Sequence, residues 1–191
     1  MPLLPQPTLQ TARLRLRPYV LGDAADVQRL AGDFAVADTT QNIPHPYSDG
    51  MAEAWIALHE DAYANDDTAV FAMVVRDDGA DDDMSGTLIG SITLRLELDY
   101  RRAELGYWVG KPFWGHGYAT EATRKLLSFG FDQLGLHRIH AAHLTRNPAS
   151  GRVMQKAGMQ FEGVRRGHAL KHGIFEDVAT YGILRTDSRA P

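Results

Sequence analysis

Two glycines, Gly115 and Gly117, lie in the run Trp114-Gly-His-Gly-Tyr-Ala-Thr120, between a segment that reads as a strand ending near Gly110 and one that reads as a helix beginning near Ala119. Glycine lets the backbone curl tightly and present successive N–H groups with no Cβ in the way. The helix behind the turn aims its unpaired N–H groups and the positive end of its dipole at the same point. Residue types and spacing therefore describe an anion site suited to phosphate. A dinucleotide-binding turn wants a small third residue at position 120 and a carboxylate at the end of the next strand. Thr120 stands there instead, and His137-Arg-Ile-His-Ala-Ala-His-Leu144 carries no carboxylate. The Gly-Lys-Ser/Thr triplet of a P-loop is also missing from the sequence. A glycine turn that starts a helix and holds no ligand is the plain structural alternative.

The elements that must position this turn follow from periodicity. Leu14 and Leu16 alternate with Arg13, Arg15 and Arg17 in a half-buried strand stopped by Pro18. A short helix runs from Gly22-Asp23 to about Ala31, with Asp23 as its N-cap. The stretch Asp38 to Tyr47 reads as a loop, and Met51 to Tyr63 as a helix. Ala69 to Val75 is an unbroken apolar strand, Asp77 to Gly86 an aspartate-rich solvated loop, and Leu88–Leu98 and Ala103–Val109 are strands. Beyond the turn, Ala119, Ala122, Leu126 and Phe129 recur at helical spacing while Glu121, Arg124 and Lys125 face elsewhere. A strand at His137–Leu144, a helix at Ser150–Ala157 closed by Gly158, and strands at Phe161–Val164 and Phe175–Leu184 complete the order. Short early turns imply antiparallel neighbours, and the late strand–helix–strand unit implies a parallel pair. The expectation is one mixed α/β domain over residues 1–191, with a core from about 12 to 185 and a polar tail.

Composition narrows the function. The 191 residues include 44% hydrophobic and 23% charged side chains, ordinary for a globular protein. Cysteine is absent, which removes thiolate nucleophiles and cysteine-ligated metals and suits a reducing compartment. A net charge of −4 argues against nucleic acid as a partner. No run approaches the length of a membrane span and the N-terminus shows no signal peptide, so the expected location is the cytoplasm, away from membranes. His137, His140 and His143 step by three on a strand, which throws His140 to the opposite face, so no metal is expected there. Arg165-Arg166-Gly-His168 with Lys171-His172 reads as an exposed, solvated hairpin.

Glu104-Leu-Gly-Tyr-Trp-Val109, Trp114-Gly-His-Gly-Tyr-Ala-Thr-Glu-Ala122, Asn147-Pro-Ala-Ser150, Lys156-Ala-Gly-Met159 and Glu162-Gly163 occur in one fixed order. This order resembles the GNAT acetyltransferase superfamily, and within it the RimJ/RimL-like branch, from about Leu14 to Leu184. The resemblance implies a mostly antiparallel sheet with one splayed parallel strand pair, flanked by helices. It implies acetyl-CoA as cosubstrate, no metal, and transfer of an acetyl group to a primary amine by direct attack. The acceptor would be a protein N-terminal α-amine, as of a ribosomal protein, or a small-molecule amine. A homodimer is the family's suggestion, and a non-catalytic acyl-CoA sensor of the same fold is the competing reading.

The resemblance places the pantetheine arm along Tyr107, Trp108 and Val109. The pyrophosphate falls at Trp114, Gly115, His116, Gly117, Tyr118, Ala119 and Thr120, and Asn147, Ser150 and Lys156 complete the cofactor set. Trp114 stands where the superfamily usually has Arg or Gln, so His116 or Lys111 would supply the missing charge. Glu104 is the candidate general base, or else one half of a salt bridge with Arg102 or Arg101. Ser150 is the candidate proton donor to the thiolate, or else the N-cap of the helix after it. The main-chain N–H near Val109 would polarise the thioester carbonyl. The acceptor groove is expected from the Gln41–Asp49 loop, the helix after it and the Arg165–Gly173 hairpin.

Overall fold

Alternation in β2 (Leu14–Arg17) buries Leu14 and Leu16 completely and leaves Arg15 exposed, as a period of two demands. This strand seeds an α/β sheet in the computed structural model, which describes residues 5–76 and 86–187. The aspartate-rich loop therefore lies outside the described residues except for Gly86. The other strands are β1 (Leu9–Gln10), β3 (Thr68–Val75), β4 (Leu88–Glu97), β5 (Arg102–Val109), β6 (Arg138–Leu144), β7 (Gln160–Lys171) and β8 (Ile174–Leu184). They form one sheet in the order β1-β2-β3-β4-β5-β6-β8-β7. Each neighbouring pair is antiparallel except β5 with β6, which is parallel. The mixed α/β class expected from the sequence is the class observed.

Strand β3 shows how the sheet divides two cores. Ala69, Phe71, Met73 and Val75 join Leu126, Leu127, Phe129 and Met154 on one face. Val70, Ala72 and Val74 join Val27, Leu30 and Ile56 on the other. The first face carries α5 (Tyr118–Asp132) and α6 (Pro148–Lys156), and the second carries α1 (Ala24–Ala31) and α3 (Met51–Ala57). The loop expected from Asp38 begins later, because α2 (Phe34–Thr39) forms first, with the Asp33 carboxylate accepting from the Ala35 N–H at 2.8 Å. The Asp23 carboxylate does not cap α1. It takes both Arg17 guanidinium nitrogens at 2.7 Å and the Val20 N–H at 2.9 Å. Helix α6 begins at Pro148 rather than Ser150, because Asn147 supplies the cap. Among the described residues no helix is long and apolar enough to cross a membrane.

Strand β7 runs well past Val164, and the cationic run Arg165–Lys171 belongs to a long ribbon with β8 interrupted by bulges. Both faces of that ribbon are largely exposed, so its side chains carry no alternation to read. Lys171 is nonetheless buried and donates to the Ile43 carbonyl at 2.9 Å, tying the ribbon to the loop after α2.

The helix expected over Met51–Tyr63 breaks at Leu58 into α3 and α4 (His59–Ala64). Beside the break the His59 ring meets Trp55 edge-on at 4.3 Å and Tyr19 at 5.4 Å, with neither ring nitrogen hydrogen-bonded. Burial pushes the His59 pKa down from 6.5 to about 4. Between these values the unfolded chain holds a proton that the folded chain excludes, so stability falls as pH drops through the window. Urea titrations of wild type and His59→Phe at pH 7 and pH 4.5 should show a smaller acid-induced loss of stability in the variant.

Candidate active site at the strand splay and the glycine turn

The parallel ladder pairs Arg102, Ala103, Glu104 and Leu105 with Arg138, Ile139, His140 and Ala141, and then stops. From Gly106 to Val109, β5 keeps only β4 as partner, while Ala142–Leu144 of β6 keep only β8. The Gly110 N–H donates to the Ile89 carbonyl at 2.8 Å. By antiparallel alternation the backbone groups of Trp108 and Gly106 then point to β4, and those of Tyr107 and Val109 point into the gap. The Trp114 indole N–H donates to the Val109 carbonyl at 2.6 Å. Trp114 therefore locks the end of β5, and its own donor is already committed.

Gly115 and Gly117 both adopt φ +81°, a conformation that strains any residue with a Cβ. Gly117 is the N-cap of α5 and brings no side-chain acceptor, so the first N–H groups of the helix face outward as a site for anions. Arg13, which the strand pattern sends to solvent, clamps this turn. It donates to the His116 carbonyl at 3.0 Å, pairs with Glu121 at 2.7 Å and stacks over the Tyr118 ring at 4.7 Å. Thr11 and the Arg13 N–H also donate to Glu121. Beside the turn lies a groove of about 530 Å³, lined by Arg13, Gly117, Thr120, Arg124, Lys125 and Lys156 among others. Its cations outnumber its one carboxylate, Glu121, which Arg13 already neutralises. His116 is exposed and stacks on Tyr118 at 5.8 Å, and Lys111 is exposed in the turn Lys111–Phe113.

At the N-terminus of α6, Asn147 Oδ1 accepts from the Ser150 N–H at 3.3 Å and Asn147 Nδ2 donates to the Thr39 carbonyl. The cap is Asn147, and the Ser150 hydroxyl is free for another partner. That partner is the Tyr107 phenol at 2.7 Å, which also reaches the Ser150 carbonyl at 3.1 Å. Burial pushes the Tyr107 pKa up to about 12, so the phenol keeps its proton at neutral pH. This hydroxyl pair bridges β5 and α6 across the gap.

Glu104 lies on the opposite face of the sheet from Tyr107. Its carboxylate accepts from Arg95 at 2.8 Å, directly across the β4–β5 ladder. The partners considered from sequence are engaged elsewhere, Arg102 with Glu97 at 2.6 Å and Arg101 with the Gly135 carbonyl at 2.9 Å. Next to Glu104 on this face nothing lies within 4 Å of where a Cβ of Gly106 would stand, and the half-buried Trp108 beyond it packs against the core shared with α1 and α3. Arg138 forks onto Glu162 across Gly182, whose missing side chain makes room for the pair. At the far wall Arg146 joins Asp38 at 2.7 Å to Glu176 at 2.6 Å, strapping α2 to β8. His140 faces the Glu104 side and His143 the α6 side, where it stacks on Tyr181 at 5.7 Å. His137 precedes β6 and donates its N–H to the Arg101 carbonyl. No group of three or more histidines and carboxylates among the described residues is arranged to hold a metal ion.

Residues 13–160 match the family model of the acetyltransferase (GNAT) domain. The chain belongs to the GNAT family of acetyltransferases. It is 30% identical to the uncharacterized N-acetyltransferase p20 of Bacillus licheniformis, over 94% of this chain and 97% of that one. With the uncharacterized N-acetyltransferase YoaA of Bacillus subtilis the identity is 41%, over 51% of this chain and about half (56%) of that relative's length. The fold superposes on RimL, a ribosomal L7/L12 α-N-protein acetyltransferase solved with coenzyme A, at a TM-score of 0.83, covering 93% of this chain and 98% of that one. Identity there is 14%, so the likeness is one of fold.

Arg13, Arg124 and Lys125, which line the groove, and the Tyr107 phenol as a partner of Ser150 are features that the sequence left unmarked. Polar-face positions on a strand and a helix carry no signal of convergence, because the groove exists only once β2 is laid beside α5. The capping assignment has a direct check. Asn147→Ala should cost about 1 kcal/mol in urea-unfolding free energy, the size of a lost N-cap.

Proposed function

We propose that this acetyltransferase moves an acetyl group from acetyl-CoA to a primary amine, and that a peptide N-terminal α-amine is the acceptor class that suits it best. The unit would span the chain, as in the RimJ/RimL-like branch, and a cysteine-free protein suits the cytoplasm. The observation that carries the cofactor reading is the gap beside Tyr107 and Val109 running into the uncapped N-terminus of α5 and its cationic groove. Unpaired strand edge suits the amides of a pantetheine arm, helix N–H groups suit a pyrophosphate, and a groove of Arg and Lys suits a phosphorylated nucleotide. Bound acetyl-CoA supplies the activated acetyl carbonyl. The Val109 N–H polarises that carbonyl, Asn147 holds the arm, and the Ser150–Tyr107 hydroxyl pair hands a proton to the departing sulfur. On the other face Glu104 orients the acceptor ammonium.

Charge balance supports the acceptor class. Glu97, Glu104 and Glu162 on that face are each paired with an arginine. A polycationic amine therefore meets no surplus of carboxylates there, whereas a singly charged α-amine needs none. With a pKa of about 7.7–8.0 such an amine is also easier to deprotonate than a lysine side chain at about 10.4.

Thiol release from acetyl-CoA should be seen with unblocked peptides and lost when the same peptides carry a blocked N-terminus. Cofactor binding with no turnover on any amine would instead identify a sensor. Gly117→Val should weaken acetyl-CoA binding at least about tenfold, because β-branching strains a φ of +81° and crowds the anion site. Ser150→Ala should lower kcat about tenfold or more with the Michaelis constant for the amine little changed. Full kcat in that variant would remove the hydroxyl pair from the chemistry.

A further inference from the structure

His140 stands beside Glu104 on the acceptor face, its Cα partner across the parallel ladder, one residue before that ladder ends. Its half-buried ring has Nδ1 enclosed with no hydrogen-bond partner. A buried ring nitrogen without a partner costs free energy that a satisfied one would not. The space over Gly106, where nothing lies within 4 Å of a Cβ position, begins one step along the neighbouring strand. The reading of this face as the amine site leaves one difficulty. Glu104, the candidate for drawing off the proton, is already paired with the Arg95 guanidinium at 2.8 Å.

We propose that His140 is the proton acceptor for the incoming amine, with Glu104 orienting the ammonium and the imidazole receiving its proton, directly or through one water. This rests on the acetyl-transfer reading above. One proton passes from the ammonium to Nε2 of His140, the ring nitrogen that is not enclosed, and the freed lone pair forms the C–N bond to the acetyl carbon as the C–S bond breaks. The remaining surplus proton on nitrogen is matched by the one the thiolate gains through Ser150 and Tyr107, and the imidazolium then returns its proton to water. The sum is ammonium plus thioester giving amide, thiol and one proton.

The surroundings suit the task. Glu104 and Arg102 face the ring from β5, Glu97 and Arg95 stand on β4, Arg138 on β6, and Glu162 on β7. Burial is the largest influence on the ring and lowers its pKa, and the carboxylates Glu104 and Glu97 partly oppose that shift. The imidazole is thus neutral, and able to accept, at the pH where an α-amine is mostly protonated.

The test measures His140→Gln and His140→Asn against wild type with one unblocked peptide from pH 6 to 9.5, after thermal melts confirm folding. A base is needed only while the amine is protonated. The variants should lose about 100-fold in kcat/KM for the peptide at pH 7. The loss should shrink to under about threefold by pH 9.5, where an α-amine of pKa about 7.7–8.0 is neutral. The Michaelis constant for acetyl-CoA should not change. A loss equal at both ends of the range, or one under threefold at pH 7, overturns the assignment. Should wild type itself acetylate no amine, the acetyl-transfer reading fails, and His140 loses its role with it.

Discussion

The strand pairing between β5 and β6 has to end early. These are the only parallel neighbours among the described strands, joined by the long crossover through α5, and each is also held on its far side by an antiparallel partner. After Leu105 and Ala141 the two ladders diverge, and a run of β5 backbone is left facing a gap. Buried N–H and C=O groups must find partners, so a gap of this kind stays stable only if something else bonds to the exposed edge. The Trp114 indole satisfies the Val109 carbonyl, and the Tyr107–Ser150 bridge props the opening from the α6 side. What is left over is the Tyr107 backbone and the Val109 N–H facing the gap between the strands, the feature on which both halves of the candidate site depend.

The two faces of the sheet at this gap differ in charge. On the α5 face Arg13, Arg124, Lys125 and Lys156 gather around a helix N-terminus with a single, already paired carboxylate. On the other face arginines and glutamates alternate as cross-strand pairs and cancel. A polyanionic ligand is drawn to the first face and gains nothing at the second. A chain with net charge −4 can therefore bind a multiply charged anion, because local arrangement rather than the total governs the field at the turn.

Legibility from sequence followed burial. Strand β2 and helix α5 each bury one face, so their periods of 2 and 3.6 could be read directly, and the glycine turn between strand and helix stood out for the same reason. The ribbon of β7 and β8 past Val164 buries little on either face, and its extent was invisible to a pattern that works only through burial. Helix α2 is shorter than two turns and rests on its Asp33 cap more than on periodicity. Arg13 looked like a solvated strand residue, and its grip on the turn spans 103 residues of sequence. No local rule reaches that far. Ser150 was placed correctly near a helix start, but which residue caps α6 turned on a two-residue difference in where the helix begins.

Glu104 shows why residue type alone cannot decide chemistry. Arg101 and Arg102 are its nearest arginines in sequence, yet neither pairs with it. Arg101 takes a left-handed turn conformation at φ +50° that sends its guanidinium to the Gly135 carbonyl. Arg102 is two residues along the same strand and meets Glu97 across the ladder. The hairpin register instead sets Arg95 opposite Glu104, as cross-strand pairing of opposite charges favours. A carboxylate already engaged by a guanidinium can still face an incoming ammonium and help to place it. The same register logic on the other side of β5 sets His140 against Glu104 one step before the parallel ladder ends. Orientation and proton acceptance can then be divided between two neighbouring strands at the one place where the sheet opens.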